Sequence, residues 1–251
     1  MKFPRFFVLA LAVWVAGAGL ARADQTNVAV AANFTEPAKE IGRAFTISTG
    51  HEAIFSFGSS GQFNDQIRRE APFEVLLSAD AERPKKLAED GYAVGATRFA
   101  YAIGRLVLWS RDPQAVKGPE TLQSPSIGKI AICNPLAAPY GAAAVQTMRA
   151  LRSEETLRPK LVEGANIAQA FQFVDTGNAE VGFVALSQIA GRTDGSHWLV
   201  PQELYEPIRQ EAVLLKRGAD KPAAKAFVDF LKGPEARAII EKYGYGRGEG
   251  G

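Results

Sequence analysis

Apolar residues recur along this chain in two rhythms. Short runs that are apolar throughout or at alternate positions predict β-strands at Val28–Ala31, Ala53–Phe57, Val75–Ser78, Leu106–Trp109, Ile130–Cys133, Gly182–Ala185 and Ala212–Leu215. Between them, apolar residues three and four apart predict helices at Glu36–Ser48, Gln62–Glu70, Ala81–Asp90, Gly141–Leu151, Ile167–Asp175, Lys221–Leu231 and Pro234–Lys242. Strands alternating with helices predict an α/β protein with largely parallel sheets. The closing "GRGEGG", Gly246 to Gly251, has no apolar pattern and reads as a disordered tail.

The first of these helices carries its own start signal. Asn33 can cap it with Glu36 three residues on, or Thr35 can cap it with Pro37 in the first turn. The unit "NVAVAANFTEPAKEI" is echoed by "KIAICNPLAAPYGAAAV": strand, Asn, short loop, helix. The echo implies two similar lobes, joined by extended crossovers around "YAIGRLVLW" and "IRQEAVLL". The expected division is residues 24–105 plus 211–251 in one lobe and 106–210 in the other. Open α/β sheets bind ligands beyond the carboxyl ends of their strands, near helix N-termini, so two facing lobes make a binding cleft.

The N-terminus changes the charge picture. Lys2 and Arg5 precede an apolar stretch from Phe6 to Leu20, and Ala21-Arg22-Ala23 has the small-x-small form of a cleavage site. Residues 1–23 therefore read as a secretory signal peptide, too short in its apolar part for the ~20 residues of a membrane span. Without Lys2, Arg5 and Arg22 the formal charge of +2 becomes −1. A nucleic-acid partner is not expected of a chain with no net positive field. Cys133 is the single cysteine, so no internal disulfide can form, and His51 and His197 have no second ligand at zinc spacing. Cys133, inside an apolar run, is expected to be a buried, inert thiol.

The stretch "FGSSG", residues 57–61, poses the chemical question. A nucleophile elbow needs G-x-S-x-G, and Gln62 stands where the last glycine belongs. A phosphate-binding P-loop needs a lysine after its second glycine, and none is present. An exported hydrolase using Ser60 stays open as an alternative. Four loops, "AANF", "GSSG", "NPLAAPYG" and "EGANIAQA", each lead into a helix and offer hydroxyls, amides or bare backbone N–H groups with almost no charge. Such loops also make ordinary caps and turns, but four of one kind favour an oxyanion site. A site built of donors penalises hydrogen phosphate, whose O–H would go unpaired at a cost of about 1–3 kcal/mol. Fully deprotonated tetrahedral dianions are favoured.

Taken in order, "VAVAANF", "GSSG", "EAPFEVLLSAD", "YAIGRLVLWS", "NPLAAPYG", "VGFVALSQ", "GSHW" and "FLKGPEARAIIEKYGY" resemble the molybdate-binding proteins of ABC importers across essentially the whole chain after residue 23. The resemblance implies a two-lobed periplasmic-binding-protein fold (type II), with the ligand in the interlobe cleft. It implies a monomeric, non-enzymatic periplasmic receptor that delivers molybdate or tungstate to a membrane ABC permease. No cofactor is implied, and molybdenum enters only as the oxyanion, with no direct protein–metal ligand. Sulfate or thiosulfate is the alternative ligand. Carried over by position, the resemblance places the ion on Ala32, Asn33, Ser60, Tyr140 and Ile167, with Ser59 supporting the turn. Two positions depart from many members: Asn33 stands for a serine, and Ala185 for a tyrosine whose hydroxyl Tyr140 is expected to replace.

Overall fold

The computed structural model describes residues 23–248. The expected signal peptide lies outside the described residues apart from Ala23. Among the described residues, eleven strands form two mixed sheets, and nine α-helices pack with them. The chain begins β1 (Gln25–Ala31), α1 (Thr35–Thr49), β2 (Glu52–Gly58), α2 (Ser60–Arg68), β3 (Val75–Leu77), α3 (Glu82–Glu89) and β4 (Phe99–Gly104). It continues β5 (Leu106–Ser110), β6 (Ile130–Cys133), α4 (Pro139–Ala150), α5 (Glu154–Leu157), β7 (Leu161–Gly164), α6 (Ile167–Asp175), β8 (Val181–Ala185), α7 (Leu186–Ile189) and β9 (Ser196–Leu199). Then come β10 (Ile208–Leu214), α8 (Pro222–Lys232), α9 (Pro234–Lys242) and β11 (Gly246–Arg247).

The first sheet runs β11-β4-β10-β3-β1-β2 and the second β7-β6-β8-β5-β9. The sequence echo is a topological repeat. In the first sheet β1 sits between β2 and β3, all parallel; in the second β6 sits between β7 and β8, all parallel. An antiparallel strand then flanks each trio, β10 against β3 and β5 against β8.

The expected largely parallel sheets are therefore corrected to mixed ones. Only Arg105 separates β4 from β5, so the chain passes between sheets without a helix. A parallel continuation needs a crossover of about a dozen residues or more. The return crossing ends before Ile208, which places Ile208–Gln210 with the first sheet and not with residues 106–210. Nor is the tail's start disordered: Gly246 and Arg247 pair with Ile103 and Ala102 on β4. A backbone ladder needs no apolar pattern, so this strand left no periodic trace.

Two-fold alternation explains the first sheet's packing. Val28, Val30, Val75, Leu77, Ala212 and Leu214 enter one apolar cluster with Phe227 and Leu231 of α8. Ala29, Leu76 and Val213, one position out of phase, enter another with Phe63 and Ile67 of α2. Each fully buried Val or Leu contributes about 1.5–3 kcal/mol. The second sheet centres a third cluster, which also takes in Ala31, Ala32 and Ala79 from the first lobe's turns. The lobes thus touch at the ends of β1 and β3, where the cleft closes. Cys133, fully buried in β6, has its thiol pushed up by burial to about 12, as expected of an inert group.

Candidate anion-binding site

Four turns at the carboxyl ends of parallel strands face one another across the cleft. After β1 the chain makes a 3-10 turn, Ala32–Phe34, before α1. This turn removes both expected caps: Phe34 occupies the cap position without a side-chain bond, and the Thr35 hydroxyl donates back to the Ala32 carbonyl at 2.8 Å. Asn33 is freed from the helix end and buried. After β2, the Ser59 hydroxyl accepts from the Gln62 amide at 3.2 Å, so Ser59 caps α2 and Ser60 is its first residue. The Ser60 hydroxyl accepts from the Ala79 amide at 2.9 Å, which leaves its own hydrogen for another acceptor.

The second lobe repeats the arrangement. Pro139 opens α4, its fixed φ suited to that position, and Tyr140 follows. Asn166 caps α6 by accepting from the Gln169 amide at 3.1 Å, and Ile167 comes next. Helix geometry gives the amides of Ser60, Tyr140 and Ile167 no intrahelical acceptor. Each stands at the positive end of a helix dipole. Gln188 braces the last turn, donating to the Ile167 carbonyl at 3.1 Å while accepting from the Ala185 amide at 2.9 Å.

A small cavity joins these turns. Ala31, Ala32 and Asn33 line it with Gly58, Ser59, Ser60 and Ala79 from the first lobe, and Ala138, Pro139, Tyr140, Asn166 and Ile167 from the second. All five residues named from the resemblance are there, and no lining residue carries a formal charge. A larger cavity of about 550 Å³, between β4, α8, α9 and β11, contains none of these turns. The chemistry available at the small cavity is hydrogen-bond donation to something compact and negative. Catalysis at Ser60 lacks a base: His51 precedes β2, about 20 Å along an extended strand from its far end. His197 pairs with Trp109 in the second sheet. Among the described residues no cluster of His, Cys, Asp and Glu could hold a metal ion.

Beneath the cavity lies a polar network that the sequence did not reveal. The Asn33 side-chain nitrogen donates to Gln210 Oε1 at 2.8 Å and to the Tyr245 hydroxyl at 2.9 Å. The Tyr101 hydroxyl donates to the same Gln210 oxygen at 2.9 Å, and Gln210 Nε2 donates to the Tyr140 hydroxyl at 3.3 Å. Ser187 of α7 donates to the Asn33 carbonyl at 2.8 Å. The expected role of the Tyr140 hydroxyl is therefore corrected. It is packed against Gly104, where a Cβ would strike it, and faces the hinge. The hydroxyl thus has a protein partner in this network, while the Tyr140 amide, in the first turn of α4, has no intrahelical acceptor. Burial pushes Tyr101, Tyr140 and Tyr245 above the usual phenol range, so all three are neutral donors and acceptors. Gln210 was a visible signal, an amide inside the apolar run "IRQEAVLL".

Two further bonds cross the cleft mouth. The Gly61 amide donates to the Ala137 carbonyl at 2.9 Å, and Arg83 Nη2 donates to the Leu136 carbonyl at 2.9 Å. Asp80 holds Arg83 in place, accepting from its guanidinium at 2.6 Å and from its amide at 2.8 Å.

Residues 26–246 match the family described as bacterial extracellular solute-binding protein. A molybdate-binding protein of Rhodobacter capsulatus is 57% identical over 247 residues, 97% of this chain and 98% of its own. A molybdate-binding protein of Azotobacter vinelandii is 53% identical over 248 residues, 96% of this chain and 98% of its own. The solved periplasmic molybdate-binding protein of Azotobacter vinelandii superposes with a TM-score of 0.86 at 40% identity, covering 88% of this chain and 98% of that one. The chain belongs to the bacterial extracellular solute-binding proteins, and within them to the group that holds these relatives.

Proposed function

We propose that this chain is the periplasmic receptor of a molybdate importer, capturing the oxyanion in its interlobe cleft and delivering it to a membrane ABC permease. It is a binding protein and not an enzyme. The observation that carries the reading is the convergence of four strand-to-helix turns on one uncharged, donor-lined cavity. The molybdate-binding relatives, matched end to end, support the same ligand. On this reading Ala32 and Asn33 hold the ion from one side of the first lobe and Ser60, through amide and hydroxyl, from the other. The Tyr140 and Ile167 amides close on it from the second lobe. Tungstate, a dianion of the same form, is bound alongside molybdate. Export by a signal peptide cleaved after Ala23 and action as a monomer complete the reading.

A thermal-shift screen of molybdate, tungstate, sulfate, phosphate and chromate tests it, because a ligand bound only by the folded state adds RT ln(1 + [L]/Kd) to stability. Molybdate and tungstate at about 100 times Kd should add about 2.7 kcal/mol, with phosphate giving no shift. A shift with sulfate alone would replace the ligand by the smaller dianion.

A further inference from the structure

The network beneath the cavity raises a question of hydrogen count. An asparagine amide has two N–H donors and one carbonyl acceptor. In Asn33 both hydrogens are used inward, on Gln210 Oε1 and on the Tyr245 hydroxyl. Asn33 lines the cavity, and the side-chain group it has left over from these two bonds is its carbonyl oxygen. A deprotonated dianion accepts hydrogen bonds and cannot donate them, so that oxygen would repel it.

The same six side chains support a second arrangement. If the Asn33 amide turns over, its carbonyl faces inward and accepts from the Tyr245 hydroxyl and from Gln210, provided that Gln210 turns over as well. Gln210 Nε2 then donates to Asn33 and to the Tyr101 hydroxyl, and its oxygen accepts from the Tyr140 hydroxyl. Tyr101 keeps an acceptor for its own hydrogen, since the Ser78 carbonyl already stands 3.2 Å away. Ser187 continues to donate to the Asn33 carbonyl of the main chain. The second arrangement exchanges the bond from the Tyr245 hydroxyl to the Asn33 main-chain carbonyl, 2.8 Å, for one to the Asn33 side chain, and that main-chain carbonyl keeps Ser187. The Asn33 N–H groups then need an acceptor in the cavity, at a cost of about 1–3 kcal/mol without one. Only one of the two arrangements aims N–H groups of Asn33 at the cavity.

We propose that Gln210 is the positioning residue of the anion site: its amide and that of Asn33 turn over as a pair, and the pair decides whether the cleft meets the ligand with an acceptor or a donor. Gln210 does this without touching the ion. It lies fully buried on β10, at the irregularity between Gln210 and Glu211 where the strand meets β4, and beside Gly104 at the crossing between sheets. Its two ends reach Asn33 of the first lobe and Tyr140 of the second. The inference rests on the proposed oxyanion reading.

The test is a double-mutant cycle on molybdate affinity by calorimetry with the full chain after residue 23, using Asn33→Ala, Gln210→Met and the pair. Gln210→Met keeps volume and removes the partner that lets Asn33 face outward. A hydrogen bond to a charged acceptor contributes about 1.5–3 kcal/mol, equivalent to about tenfold or more in Kd. Gln210→Met should weaken binding by about tenfold in the native background and by far less when Asn33 is already alanine. Full additivity, or native affinity in Gln210→Met, overturns the proposal. A readout in the unaltered protein guards against a variant that fails to fold. Cross-relaxation from the Asn33 side-chain N–H₂ to the Tyr245 ring, seen by NMR without molybdate, should vanish at saturation, and its persistence also overturns the proposal. If the unaltered protein gives no molybdate heat at all, the oxyanion reading fails first and this inference falls with it.

Discussion

Ser60 does two jobs with one hydroxyl. Its oxygen accepts from the buried Ala79 amide, and on the proposed reading its hydrogen and its own amide go to the ion in the cavity that Ser60 lines. Ser60→Ala should therefore weaken molybdate binding about ten- to hundredfold, as expected for the loss of a bond to a charged oxygen. It should also cost about 1–3 kcal/mol of stability, because the Ala79 amide loses its acceptor. Calorimetry and urea unfolding read the two effects separately; unchanged affinity would remove the hydroxyl from the site. The family resemblance pointed to Ser60 as a ligand and to Ser59 as support of the turn, and the Gln62 amide does donate to the Ser59 hydroxyl. The second task of Ser60 was hidden, because its partner is 19 residues away on another turn. Gln210 stood out as an amide in an apolar run, but its link to Asn33, like that of Tyr245, was hidden for the same reason: they lie 177 and 212 residues from Asn33, and burial, not local pattern, brings them to it.

At the scale of the element, what matters is how each helix begins. Ser59 and Asn166 hold the first turns of α2 and α6, so they set the direction of the amides of Ser60 and Ile167. Ser59→Ala should cost about 1 kcal/mol of stability and weaken molybdate binding although Ser59 keeps none of the ion's load. Denaturant unfolding beside calorimetry checks this, and a stability loss with native affinity would show that the turn holds without its cap. The long amphipathic helices were legible because each carries its own 3.6-residue pattern; α6 and α9 begin and end where that pattern does. The strands β7 and β9 were missed because they are short and only half buried, at the two edges of the second sheet. The Asn33 and Thr35 caps failed because a 3-10 turn intervened, and nothing in "AANFTEP" distinguishes a cap from a residue turned into the interior.

For the whole molecule, the turns that line the proposed ion site also carry the bonds across the cleft mouth. On the proposed reading α2 gives its Ser60 amide to the ion, and its next amide, from Gly61, donates across to Ala137. Arg83 adds a second bond at the cleft mouth, to Leu136. Arg83→Ala should leave the ion's own contacts intact yet speed molybdate release severalfold, since a partly exposed bond of this kind contributes about 1 kcal/mol or less. Stopped-flow fluorescence measures the rate, and small-angle scattering the fraction of closed molecules; an unaltered release rate would show that the cleft closes without the arginine. The repeated strand-helix unit was readable in the echo of "NVAVAANF" by "KIAICNPL", but the closure was not, because it joins loops from different repeats. Both acceptors at the mouth are main-chain carbonyls, and Leu136 itself is 86% exposed. Evolution can therefore redraw the outer face of this loop without disturbing the fastening beneath it. A lineage could adapt its receptor to a diverging transporter one surface residue at a time, with ion capture shielded from that drift.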